Sequence, residues 1–278
     1  MKSINRQQLA IGNYPYPLYP FTYFLDAAEA FQIRNIEIWA AGPHLYLEDY
    51  SNGMIKQLKQ EMAVRQLHAI CLTPEQCMYP VNLGAREKYI RDRSIKYFEK
   101  ALNAAEILDA GAVLVTPGDS YRNEGTGDAY AYTVENIRRL GEIAASKNLK
   151  FYLEHLTKET TSLATTAKEL WKMKCDIGLH NVICMMDTDM MSRYGETTDD
   201  YLKETHGQLG HVHFIDGMPS GHLALGDGVL PLRSYLDSLN EAKYQGYLTL
   251  EILNDRYYLN PNAAVQKSIE WFDNYIRN

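Results

Sequence analysis

The feature that most constrains this chain is a rhythm: short β-rich apolar runs recur eight times, and amphipathic helical patterns fall between most of them. The expected strands are Leu9–Gly12, Ile36–Trp39, His68–Leu72, Ala112–Thr116, Lys150–Glu154, Val182–Asp187, His211–Ile215 and Tyr247–Ile252. Helical periodicity marks Tyr23–Phe31, Met54–Gln66, Ala85–Leu108, Tyr130–Lys147, Leu163–Lys174, Thr198–Thr205, Leu232–Ala242 and Ala263–Ile276. Strands that alternate with amphipathic helices build a parallel sheet covered by helices. Eight such units fit a closed (β/α)8 barrel better than an open doubly wound sheet. The strand ends also lack the glycine-rich phosphate signatures that an open nucleotide-binding sheet often carries. With 278 residues, close to the roughly 250 typical of one such barrel, and nothing resembling a linker, the reading is one domain over residues 1–278.

Charge narrows the partners. Acidic residues outnumber basic ones 35 to 28, for a net charge of −7, which repels nucleic acid and anionic membrane surfaces. No run of about 20 apolar residues could span a bilayer, and Met1 to Ala10 lacks the apolar stretch of a signal peptide. Cys71, Cys77, Cys175 and Cys184 form no CxxC pair, so they are expected as free thiols in a reducing cytoplasm. A homo-oligomer remains open. Gly125 and Gly127, flanked by Glu124 and Asp128, read as turn chemistry rather than a phosphate loop.

The informative residues lie on the last four strands. Glu154 ends Phe-Tyr-Leu-Glu, Asp187 ends Ile-Cys-Met-Met-Asp, His213 lies in Gly-His-Val-His-Phe-Ile-Asp, and Glu251 lies in Tyr-Leu-Thr-Leu-Glu-Ile-Leu. Each is a polar group at or near the C-terminal end of an apolar strand, the end that faces the active site of a parallel barrel. Any one of them alone reads as a helix cap, a surface ion pair or a structural histidine. Four on consecutive strands read as a site. Three converging carboxylates would repel one another, and a divalent cation resolves the conflict. Carboxylates with one imidazole suit Mn²⁺, with Mg²⁺, Co²⁺, Fe²⁺ or Zn²⁺ as other candidates. His211 should face the same side of its strand as His213. Trp39, His44, Glu75, Tyr79 and His222 are the candidate substrate contacts, each following or ending a strand or lying in a long loop.

With these residues in view, the chain resembles the sugar-phosphate isomerase/epimerase superfamily of xylose-isomerase-like TIM barrels, over nearly its whole length. That superfamily's metal quartet runs Glu, Asp, His, Glu on successive strands, matching Glu154, Asp187, His213 and Glu251. Within it the chain is most similar to the fructoselysine 3-epimerase type. The carrying segments are Ile36-Glu-Ile-Trp39, Gly42-Pro-His44, Thr73-Pro-Glu75 with Tyr79-Pro80 and Asn82, Glu154-His-Leu-Thr157, and Gly226-Asp-Gly228 with Pro231-Leu232. The resemblance implies an enzyme inverting C3 of a ketose or fructosamine through an enediolate. Glu154 and Glu251 would then be both metal ligands and the acid/base pair. A carboxylate at Glu75 could meet a cationic substrate arm.

The chain also departs from that pattern. His155 stands where fructosamine-type enzymes usually carry proline. Met190 stands where ketose 3-epimerases acting on free sugars usually carry histidine. Thr160 occupies the place of their second glutamate, with Glu159 one position short. These changes argue against free hexuloses as preferred substrates. No Arg or Lys lies between Asp216 and Leu232, and Asp227 would oppose an anion, which argues against a phosphorylated one. A sugar isomerase, an inosose-type dehydratase and a ketose-phosphate epimerase remain alternatives on the same scaffold. An endonuclease IV-like phosphodiesterase would need more strand-end histidines and a basic surface.

Overall fold

A computed structural model describes residues 3–76, 81–218 and 221–277. Eight parallel strands close on themselves in sequential order, with the last pairing with the first. They are β1 (Leu9–Gly12), β2 (Asn35–Ala40), β3 (His68–Pro74), β4 (Ala112–Val115), β5 (Lys150–Leu153), β6 (Val182–Asp187), β7 (Leu209–His213) and β8 (Leu248–Leu250). The helices are α1 (Phe21–Ala30), α2 (Asn52–Val64), α3 (Lys88–Leu108), α4 (Gly127–Ser146), α5 (Ala167–Ile177), α6 (Thr188–Ser192), α7 (Thr198–Glu204), α8 (Leu232–Glu241) and α9 (Pro261–Arg277). The expected (β/α)8 barrel is therefore the fold.

Two apolar layers hold it. Outward-facing strand residues such as Ile36, Val113, Phe151 and Val212 pack with Phe98, Leu140, Leu170 and Phe272 of the helices. A smaller cluster of Ala10, Ile70, Cys71, Ala112, Leu114, Tyr152 and Met185 is separate from that layer. By strand alternation it fills the interior of the barrel, so the tube is a packed core and not a pore. Helix limits follow local chemistry. Thr166 caps α5 by accepting from the Glu169 backbone amide, and Gly178 closes that helix in the left-handed region.

The structure corrects the expected limits in places. β7 starts two residues earlier than expected, because Leu209 pairs with Cys184 before an irregularity at Cys184/Met185. Moving the limits does not change which way the side chains point, and His211 and His213, two residues apart, share a face. α3 begins at Lys88 rather than Ala85, and α6 went unforeseen. Gly127 opens α4, with Gly125 in the loop before it. Among the described residues no helix is long and apolar enough to cross a membrane. Cys71, Cys175 and Cys184 are free thiols; Cys77 lies outside the described residues.

Candidate metal centre

The closed order places β5, β6, β7 and β8 side by side. Asp187 and His213 are the last residues of β6 and β7 and sit opposite each other in register. Glu154 and Glu251 each stand one residue beyond β5 and β8. One ligand atom from each of the four residues falls within a set whose members all lie within 4.8 Å of one another, and all four residues are buried.

The pattern of partners shows how each side chain is aimed. Asp187 Oδ1 accepts from the Met190 amide at 2.7 Å, capping α6, while Oδ2 has no hydrogen-bond partner. Asp187 is thus a helix cap and a candidate ligand at once, one oxygen for each task. His213 Nε2 lies 3.0 Å from Glu37 Oε1. Donation there leaves a lone pair on Nδ1, which lies 2.8 Å from Glu251 Oε2 and 3.1 Å from Glu154 Oε1. Nδ1, Glu154 Oε1, Asp187 Oδ2 and Glu251 Oε2 are all buried without a hydrogen-bond partner in the protein. Buried polar atoms are normally paired, and a lone pair facing three carboxylates is repulsive unless a positive charge stands among them. The donor set of three carboxylates and one neutral imidazole fits a divalent cation of intermediate hardness.

Without such a cation, protons have to provide that charge. Burial, with Glu251 and Glu154 adding, outweighs His222 and His213 and pushes the Asp187 carboxyl up to about 8. Burial alone would raise Glu251 too, but His213 and His222 bring it down to about 2. Burial disfavours the charged His213 ring, yet Glu251, Glu37 and Glu154 hold its pKa well above the usual imidazole value. The two carboxyls move in opposite directions because Glu251 faces two imidazoles closely (2.8 and 3.4 Å), whereas Asp187 is 3.9 and 3.7 Å from the same rings.

Sequence reasoning missed Glu37 as a site residue. It lies in β2, fully buried. Its Oε1 accepts from Tyr14 Oη at 2.8 Å, Thr73 Oγ1 at 2.6 Å and His213 Nε2, and its Oε2 from His211 Nε2 at 2.9 Å. A carboxylate behind a ligating histidine fixes its tautomer and ring orientation. The signal was present in Ile36-Glu37-Ile38, because a charge in an apolar strand cannot stay buried unpaired. His211 also faces Thr249 Oγ1 at 3.2 Å and stacks on Tyr152 at 5.1 Å. It belongs to this supporting network.

The candidate substrate contacts scatter. Trp39 stacks on Tyr14 with ring centroids 5.5 Å apart, and the Tyr14 ring stands edge-on to His213 at 6.3 Å. Trp39 Nε1 donates to Glu75 Oε2 at 3.2 Å. These three form a wall leading away from the four clustered residues. His44 is buried, with Nδ1 accepting from Asn13 Nδ2 at 2.8 Å and Nε2 donating to the Tyr19 carbonyl at 2.9 Å, so both nitrogens are engaged by protein. Tyr79 lies outside the described residues. His222 Nε2 comes to 3.4 Å of Glu251 Oε2 and 3.7 Å of Asp187 Oδ2. His155 points to α7, where Tyr201 Oη bonds its Nδ1 at 2.9 Å; burial lowers its pKa to about 4.

Comparison with known proteins agrees with this geometry. The family model described as xylose isomerase-like TIM barrel matches residues 25–275. Fructoselysine 3-epimerase of Escherichia coli O157:H7 is 26% identical over 251 residues, covering 90% of each chain. The solved structure of an L-ribulose 3-epimerase superposes with a TM-score of 0.82 at 15% identity, covering 97% of this chain and 94% of the other. That of a 3-keto-D-glucoside 4-epimerase from E. coli gives 0.81 at 17% identity, covering 96% and 99%. The barrel, its strand-end quartet and the match across residues 25–275 lead to one conclusion: the chain belongs to the xylose isomerase-like TIM-barrel family.

Proposed function

We propose that this chain is a divalent-metal-dependent sugar epimerase inverting C3 of a ketose or fructosamine, with Mn²⁺ as the working metal. The observation that carries the proposal is the set of four buried, unpartnered donor atoms on neighbouring strands, with a glutamate at each end of the arc. Inversion needs a base on either face of the reacting carbon. Glu154 beside β5 and Glu251 beside β8 bracket Asp187 and His213, so a sugar lying across the centre has one glutamate on each side. One takes the C3 proton and the other returns a proton to the opposite face. When bound, the cation supplies Lewis acidity toward a ketone and its neighbouring hydroxyl, lowering the cost of the charge that develops. Asp187 and His213 hold position, and Glu37 keeps the His213 lone pair directed inward.

The fructosamine preference draws on the relative that bears that name and on the wall formed by Tyr14, Trp39 and Glu75. There the Glu75 carboxylate can receive an ammonium arm. His44 would support this wall from behind, through Asn13, which also bonds the Trp39 backbone. An unphosphorylated substrate is favoured by the loop after β7: the Gly226 and Gly228 amides both donate to Asp216 Oδ2 at 3.0 Å, so neither is free to hold a phosphate. The acidic balance and free thiols suit a cytoplasmic enzyme of small sugars with no nucleic-acid or membrane partner.

Incubating the Mn²⁺-loaded protein with fructoselysine and free ketoses should yield the C3 epimer of one of them, followed by ¹³C NMR. Glu154→Gln and Glu251→Gln should each lower that rate by at least about 10²-fold, the scale of a lost acid/base group. Glu251→Gln should also weaken metal binding. Full activity in either variant contradicts the two-glutamate scheme.

A further inference from the structure

The described residues of the segment after β7, 216–218 and 221–231, are tied together at one carboxylate. The Asp216 carboxylate accepts from four backbone amides: Gly217 at 2.9 Å, Gly226 and Gly228 at 3.0 Å each, and Leu230 at 3.1 Å. Asp216 and Leu223 also exchange backbone hydrogen bonds at 3.0 and 2.7 Å. His222 therefore sits next to a fixed bridge, and its carbonyl accepts from the Leu253 amide just beyond β8 at 3.1 Å. Its backbone lies in the left-handed region, with φ at 48°. A histidine is held there only when its surroundings determine it.

What the loop closes on is Asp189. This carboxylate is fully buried; Oδ2 accepts from Arg193 Nε at 3.1 Å and Nη2 at 2.7 Å, while Oδ1 has no partner. A Cβ on Gly217 would meet Asp189 Oδ1 at 1.9 Å, and one on Gly221 would come within 2.7 Å of Oδ2 and 2.3 Å of Arg193. Glycine at both positions is what lets the loop seat against this buried pair. His222 bridges the two regions: Nδ1 is 3.6 Å from Asp189 Oδ2, and Nε2 is 3.4 Å from Glu251 Oε2 and 3.7 Å from Asp187 Oδ2. These separations are long for charge-assisted hydrogen bonds, so neither nitrogen is consumed by a tight protein contact. Nδ1 faces Asp189, and Nε2 faces the four-residue centre. The His222 side chain keeps 18% exposure, so protein does not seal it off completely.

We infer that His222 contacts the substrate, donating from Nε2–H to an oxygen of the sugar held at the four-residue centre, with Asp189 as the residue that positions the ring. This rests on the epimerase reading above for the identity of the ligand. The role is hydrogen-bond donation, distinct from the proton transfer assigned to the two glutamates. Nothing in it requires His222 to ligate the metal.

The test uses the full chain loaded with Mn²⁺, comparing wild type, His222→Gly, Asp189→Asn and the double variant. Glycine is chosen because it tolerates the left-handed backbone at position 222, so the loop should keep its path. Sugar binding is read by Mn²⁺-induced broadening of sugar proton resonances, separately from epimerisation. Affinity for fructoselysine or the preferred ketose should fall at least about tenfold in His222→Gly, the scale of one hydrogen bond to a charged group. Asp189→Asn should lower it in the same direction. His222 comes no closer than 3.4 Å to a candidate ligand oxygen, too far for a charge-assisted hydrogen bond, so Mn²⁺ affinity by calorimetry should stay within about threefold of wild type. Added imidazole should restore binding or turnover saturably in His222→Gly but not in the double variant, a response that a purely structural role would not give. Unchanged sugar affinity, a loss of Mn²⁺ affinity in step with it, or the absence of rescue would each overturn the inference. Wild type that binds a sugar without epimerising it would instead count against the proposed reaction and leave this inference to stand on the affinities. Wild type that binds no sugar in the panel overturns both.

Discussion

Glu37 shows how one residue can govern a site without entering it. Its carboxylate gathers Tyr14, Thr73, His211 and His213, and the His213 contact decides which ring nitrogen faces the three acidic ligands. Glu37→Gln keeps the shape but places an amide NH₂ among hydrogen-bond donors. Calorimetry with Mn²⁺ should show affinity lowered about 10–100-fold; an unchanged value would mean that His213 is oriented by other contacts. The candidate ligands couple metal binding to protons. Asp187 raised to about 8, and His213 held well above the usual imidazole value, mean that the metal-free cluster is protonated at neutral pH. A cation must displace those protons, so acidification favours the metal-free form. Apparent metal affinity should therefore rise with pH through neutrality. Titrations at pH 7 in buffers of different ionisation enthalpy should show proton release, and pH-independent affinity would contradict this picture. Of the residues, the quartet was legible in the sequence because each member ends an apolar strand. Glu37 and Asp189 were not singled out. Their roles depend on partners 176 and 4 positions away respectively, and spacing along the chain gives no hint of the first.

At the scale of elements, periodicity located every strand and the longer helices, while their ends obeyed local contacts. α6 has five residues, too few to show a helical period. It forms because Asp187 caps it, so the metal strand and the helix after it share one residue. β7 begins two residues early through its pairing with Cys184, which moves its limits and leaves the direction of its side chains as expected. The loop after β7 was legible as long, but the bonding of its described residues was not. Asp216 binds four of their amides, a convergence that no linear pattern reveals. Caps remain testable one at a time. Thr166→Ala removes the Oγ1 acceptor for the Glu169 amide at 3.3 Å and should cost about 1 kcal/mol. That corresponds to a melting temperature lower by about 2–4 °C for a chain of this size. No change on calorimetric melting would mean that solvent replaces the cap.

The whole molecule supplies what no element has alone. Sequential closure is what sets β5 to β8 in a row and brings Glu37 of β2 to His211 and His213 across the barrel interior. The eightfold rhythm therefore carried most of the fold and the place of the site, and the substrate wall least, since it depends on loops. That β3–α3 loop includes Tyr79, outside the described residues. The central claim is that this closure assembles one divalent-metal centre for proton transfer at C3 of a sugar. Solvent deuterium exchange followed by NMR tests it most directly, with fructoselysine, free ketoses and ketose phosphates incubated with the protein in D₂O, with and without Mn²⁺. Deuterium at C3 of an unphosphorylated ketose or fructosamine, only when metal is present and lost in Glu251→Gln, is the expected result. Exchange that is indifferent to metal, or turnover of a sugar with no deuterium at C3, would contradict it.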